Sequence, residues 1–130
     1  MPVSRFIALD GHEFVPPLIA LLRQAACECR AAPRADLYAC AVLAPEAGAE
    51  DFAVALVRAL VSATDRRVVL RRPGAEGLSF DESWLMALSA ALTRGDADSV
   101  RFLAGRRVRP EAGPVLRLLL SGLARNLEPF

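Results

Sequence analysis

Hydrophobic residues recur along much of the chain at the three- and four-residue spacing of an amphipathic helix. The first clear pattern follows Pro16 and Pro17 and ends near Arg30. Prolines suit a first helical turn, where their missing N–H would have no partner. The pattern predicts a helix with Cys27 and Arg23 on its polar face. Its predicted apolar face comprises Leu18, Ile19, Leu22, Ala25, Ala26 and Cys29.

Two more helices are predicted in the middle of the chain. A broad apolar arc over residues 52–60 predicts a central, well-buried helix. Ser79 stands three residues before Glu82, the spacing of a capping box, and predicts the start of the next helix. Arg94 and Gly95 suit its end. The predicted apolar face of this helix comprises Phe80, Trp84, Leu88, Ala91 and Leu92.

The C-terminal part predicts two helices joined by a short turn. Asp96 can cap a two-turn helix over residues 97–104, which Gly105 would end. Pro110 can start the last helix, whose apolar pattern runs over residues 114–127. This wide apolar arc needs other helices to cover it. Its members are Val115, Leu116, Leu119, Leu120, Leu123 and Leu127.

Two segments do not fit one type of structure. The alanine content of residues 37–44 favours a helix, and the sequence RRVVLRR at 66–72 predicts a short strand or an extended connector. Strands at 3–9, 37–44 and 67–71 would instead make a βαβαβ unit, although none is the Val- and Ile-rich run typical of parallel strands. We therefore expect one mainly helical domain over residues 1–130, with five to six short helices.

The charges nearly cancel, with 16 basic and 15 acidic residues. The net charge therefore does not indicate a protein that binds nucleic acid or a membrane surface through bulk charge. Every basic residue is arginine, and we attribute this to genome composition. Two basic clusters, Arg66–Arg72 and Arg101–Arg109, leave a nucleic-acid-binding regulator as an alternative function. Acidic residues nearby make this alternative the weaker one.

The longest uncharged stretch, residues 83–93, is shorter than the roughly 20 apolar residues that cross a bilayer. We expect no membrane insertion. The first residues lack the basic and long apolar regions of a secretory signal, so a cytoplasmic location is expected. Three cysteines in such a chain suit reduced thiols.

His12, Cys27, Cys29 and Cys40 together have the ligand types of a zinc site. Residues two apart on a helix point about 200° from each other, so Cys27 and Cys29 cannot both reach one ion. We expect no metal site, with Cys29 and Cys40 as small core residues and Cys27 as an accessible, reactive thiol.

His12 lies near Asp10 and Glu13, which leaves a small ligand-binding or catalytic domain around His12 as another alternative. No nucleophile motif, phosphate-binding loop or repeated carboxylate motif accompanies it. We therefore assign no catalytic residue and no cofactor.

The hydrophobic fraction of 54% is high for a chain of 130 residues and favours a surface that is covered by a partner. Met86 and Leu118 fall off the apolar stripes of their helices, and Gly122 lies one turn beyond Leu118. These three residues are the predicted interface. The sequence thus predicts a small accessory or regulatory protein that acts through protein–protein interaction, as a homodimer or with another protein.

Overall fold

The structure is a computed structural model that describes residues 15–31 and 47–127. Helices make up 74% of these residues, which confirms the mainly helical fold. The predicted segments at 3–9 and 37–44 lie outside the described residues. The five helices described are α1 (Pro17–Ala31), α2 (Ala49–Ala63), α3 (Phe80–Thr93), α4 (Ala97–Arg107) and α5 (Gly113–Leu127), with a 3₁₀ turn at Pro110–Ala112.

One hydrophobic core joins the helices. Helix α5 packs along α2, α2 also packs against α1, and α3 packs against α4 and α5. The apolar faces predicted for α1 and α2 are largely buried, as are four of the six predicted for α5. The fully buried leucines at the centre are Leu22, Leu56, Leu85, Leu88, Leu116, Leu120 and Leu123.

The predicted faces of α3 and α5 are each wrong at one position. Phe80 is 80% exposed and Val115 is 54% exposed. In α3 the buried face also takes in Asp81 and Glu82, which the periodicity of apolar residues cannot register. The side of α3 that faces the core therefore includes Asp81 and Glu82 and does not include Phe80.

The helix ends follow local chemistry, with one exception. The amide of Glu82 donates to Ser79 Oγ (3.0 Å) and the amide of Ser79 donates to Glu82 Oε1 (2.9 Å), so the capping box is confirmed. Gly95 has a φ of 71°, the left-handed conformation expected after α3. Helix α4 does not end at Gly105, however, but continues to Arg107.

The segment at 66–72 is an extended connector and not a strand of a sheet. Just before it, Thr64 forms an isolated antiparallel bridge with Val108. Here the amide of Arg109 donates to the carbonyl of Ala63 (2.7 Å), which ties the end of α2 to the end of α4. None of the described helices is long and apolar enough to cross a membrane.

Candidate functional site

A buried ion pair joins α1 to the first turn of α3. Arg23 Nε donates to Glu82 Oε2 and Arg23 Nη2 donates to Glu82 Oε1, both at 2.9 Å. The two side chains are 1% and 0% exposed. An isolated buried charge is very unfavourable, and this two-bond contact compensates each of the two charges for its lost contact with water.

The remaining polar atoms of the pair bind the backbone of the loop between α2 and α3. Arg23 donates to the carbonyls of Ala75 (2.8 Å) and Gly77 (2.6 Å). Glu82 accepts the amides of Ser79 (2.9 Å) and Arg71 (2.8 Å). The pair therefore holds this loop against α1 and α3.

These contacts keep both groups ionised. Burial opposes ionisation of Glu82, but hydrogen bonds from Arg23 and from the amides of Ser79 and Arg71 outweigh it and hold the pKa of this carboxyl below its ordinary value. The hydrogen bond to Glu82 in turn raises the pKa of Arg23.

A second buried pair, Asp81 with Arg107, lies beside the first along α3. The Arg107 guanidinium also stacks over the ring of Trp84, 5.3 Å from its centroid, and the Trp84 indole N–H donates to the carbonyl of Leu103 (2.9 Å). Arg107 is only 8% exposed. Of the arginines in the second basic cluster, Arg107 thus binds Asp81 inside the protein and does not present its guanidinium to solvent.

The same two carboxylates fix the conformation of the connector. The amide of Val69 donates to Asp81 Oδ2 (2.6 Å), the amide of Arg71 donates to Glu82 Oε2 (2.8 Å), and Ser79 Oγ donates to the carbonyl of Val69 (2.6 Å). In an extended backbone the N–H and C=O of one residue point to one side and the amide two residues further on points to the same side, which is the pattern of Val69 and Arg71. The first turn of α3 thus takes the place of a neighbouring strand.

A groove of about 830 Å³ lies between α1, α2 and the connector. Its apolar lining includes Ala26, Cys29, Val57, Leu60, Val61 and Leu70. Its charged lining comprises Arg58, Asp65, Arg66, Arg67 and Arg109. The groove therefore combines an apolar floor with an excess of positive charge, which no pattern in the sequence had brought together.

The described cysteines lie on different sides of α1. Cys27 is exposed, whereas Cys29 is half-buried and lines the groove. Cys29, which was expected to be a small core residue, packs against the core but is only partly buried. His12 and Cys40 lie outside the described residues. Among residues 15–31 and 47–127, no group of His, Cys, Asp and Glu is placed to hold a metal ion.

The three residues of the predicted interface do not share one exposed surface. Leu118 is 59% exposed, but Met86 is half-buried against the core. Gly122 is buried, and a Cβ atom added there would lie 2.3 Å from Cε1 of Phe52. The missing side chain of Gly122 therefore admits Phe52 of α2 from the same chain.

Comparison of the chain with protein-family models, with curated proteins and with solved structures finds no match. Its function must therefore follow from its own residues. Among the described residues, we take the groove and the connector beside it as the candidate site.

Proposed function

We propose that the protein is a cytoplasmic accessory or regulatory protein that acts by binding other polypeptides, and that the groove between α1, α2 and the connector is its recognition surface. The groove carries this proposal because it joins an apolar floor to exposed apolar side chains at its margin. Val61 and Val69, which are 81% and 53% exposed, both line it. Clustered exposed apolar groups are typical of interaction sites.

The size and composition of the groove also support a polypeptide ligand. A volume of about 830 Å³ is enough to take several apolar side chains. The long stems of the groove arginines can pack on apolar groups of a ligand while their charged ends bind its carboxylates and carbonyls.

Selection from a random peptide library tests the groove. Peptides selected on the wild-type protein should lose binding to Val61→Glu, which places a charge at the groove, and should keep binding to Val115→Glu. Val115 is a matched control, because it is 54% exposed and is not part of the groove lining. Failure to obtain any peptide with this pattern of sensitivity would refute the proposal.

Chemical labelling gives a second measure of occupancy. A peptide in the groove should slow alkylation of Cys29 and leave alkylation of Cys27 unchanged, since Cys29 lines the groove and Cys27 does not. Fragment spectra of the tryptic peptide spanning residues 24–30 separate the two sites. Equal protection of both thiols would contradict binding in the groove.

A homodimer formed through the outer side of α5 is a second candidate. Val115 and Leu118 are 54% and 59% exposed and lie three residues apart, hence on neighbouring positions of one helix surface. Leu118→Arg should convert a dimer into a folded monomer, whereas Phe102→Arg on α4 should not. Light scattering measures the mass, and a monomeric wild-type protein at high concentration would rule this candidate out.

A further inference from the structure

The connector has one edge bonded to α3 and a second edge that forms no hydrogen bond within the described residues. The amides of Val69 and Arg71 and the carbonyl of Val69 are paired with side chains of α3 and its N-cap. No hydrogen bond within the described residues involves the backbone of Val68 or Leu70. Because amides alternate in direction along an extended chain, those of Val68 and Leu70 point away from α3.

Val68 and Leu70, whose backbone forms the second edge, both line the groove. Extended backbone with free N–H and C=O groups is a template on which another extended segment can pair. Such segments normally lie at the edge of a sheet. Here a single segment is held in this conformation by the buried carboxylates of Asp81 and Glu82.

The charges around the groove define the partner. Arg66 and Arg67 are exposed and have no ion-pair partner among the described residues, and the Nε of Arg109 donates to the carbonyl of Ser62 (3.1 Å). Among the described residues that line the groove, Asp65 is the only acidic one. An acidic segment would therefore complement this surface.

We propose that the groove binds an extended segment of a partner protein in which acidic and apolar residues alternate, and that this segment pairs with the connector at Val68 and Leu70 as an added strand. This inference depends on the proposed function, namely that the groove binds a polypeptide. The two-residue period of a strand would place apolar side chains of the segment on the groove floor and its carboxylates toward the arginines.

Amide exchange in the free protein is the first test. The amides of Val68 and Leu70 should exchange rapidly, and those of Val69 and Arg71 should exchange slowly, which makes each pair the control for the other. Protection of Val68 and Leu70 in the free protein would show that the edge is already covered, by the chain itself or by a second copy, and would overturn the proposal.

Synthetic peptides then test the mode of binding. The probe is a capped peptide of about eight residues in which valine alternates with glutamate, a length typical of a strand. It should protect the amides of Val68 and Leu70, and the same peptide with lysine in place of glutamate should bind at least about tenfold more weakly. Two further peptides carry N-methyl groups on alternate amides, one peptide along one edge and the other along the opposite edge. Only the peptide whose connector-facing amides are unmodified should still bind.

Charge variants locate the contact. The double variant Arg66→Glu, Arg67→Glu should bind the glutamate peptide at least about tenfold more weakly than the wild type and should bind the lysine peptide more tightly. Arg125→Glu is the control, because Arg125 is exposed on α5 and is not part of the groove lining. An equal effect of the control and the groove variants would overturn the proposed charge complementarity.

The results separate this inference from the proposed function. Peptides that depend on Val61 but leave the amides of Val68 and Leu70 unprotected would overturn strand addition while the groove remained a polypeptide-binding site. Strand addition would also be overturned if both N-methylated peptides bound or if neither did. If neither library peptides nor the designed peptides bind the groove, both proposals fail.

Discussion

Replacement of Glu82 by glutamine should destabilise the protein far more than a typical single substitution. The side chain keeps its size but loses its charge. The buried guanidinium of Arg23 then has only neutral partners, namely the carbonyls of Ala75 and Gly77 and the side-chain amide of the new glutamine. The amides of Ser79 and Arg71 also lose a charged acceptor. The perturbation thus affects one buried cation and two backbone donors.

The expected cost follows from the burial of the pair. Removal of one partner of a buried ion pair destabilises by about 3–5 kcal/mol, because the other charge is left uncompensated. A domain has about 5–15 kcal/mol of stability in total, so Glu82→Gln should remove a large part of it. Arg23→Met combined with Glu82→Gln should cost less than the sum of the two single changes, since no uncompensated buried charge remains.

Urea unfolding, followed by the fluorescence of buried Trp84 and by circular dichroism, measures these free energies. Asp98→Asn is the matched control, because Asp98 pairs with Arg101 at the surface with side chains 94% and 76% exposed. It should change the free energy of unfolding by less than about 1 kcal/mol. Equal effects of Glu82→Gln and Asp98→Asn would refute the role of the buried pair.

The pH dependence gives an independent measure of the same interaction. The pKa of Glu82 is lower in the folded protein than its ordinary value, so its stabilisation is fully present above that value and is lost as the pH falls through the folded-state pKa. The stability difference between wild type and Glu82→Gln should therefore shrink below about pH 4. A difference that stays constant down to strongly acidic pH would contradict this assignment.

Three shorter predictions concern other parts of the molecule. Gly122→Ala should destabilise by about 1–3 kcal/mol in urea unfolding because of the contact with Phe52, and Phe52→Leu in the same chain should recover part of the loss. Cys27 should react faster than Cys29 with a maleimide in the native protein, and equal rates would contradict the burial difference. Duplex DNA should not bind specifically at physiological ionic strength, and a sequence-selective complex there would overturn this expectation.

The features that could be predicted from sequence depend on residues close together in the chain. Ser79 and Glu82 form a capping box within a single turn, and Gly95 takes its left-handed conformation just after α3. The apolar periodicity of α1 and α2 likewise identified their buried faces. Such local signals need no knowledge of which helices will meet.

The buried polar network could not be predicted, because it joins residues distant in sequence. Arg23 and Glu82 are 59 positions apart, and periodicity placed Arg23 on the polar face of its helix. At Arg23 that face is covered by the loop that carries Ala75 and Gly77. The only local sign that Arg23 is buried is its neighbour Leu22, and many exposed arginines also follow a buried leucine.

Tertiary contacts also changed two inferences from glycine. Gly105 was expected to end α4, but the buried pair between Arg107 and Asp81 anchors a further turn and offsets the roughly 1 kcal/mol that a helical glycine costs. Gly122 was expected to let another helix approach. A close approach does occur there, but the side chain that approaches is Phe52 of α2.

The buried network and the groove are parts of one arrangement, because Asp81 and Glu82 each bind a buried arginine and a connector amide. The connector cannot leave its extended conformation without also depriving both carboxylates of a hydrogen bond in the protein interior. These hydrogen bonds should restrain the connector before a ligand binds, and a restrained edge would lower the conformational entropy cost of binding. Loss of Glu82 should for this reason weaken peptide binding at Val68 and Leu70 even in the fraction of protein that remains folded.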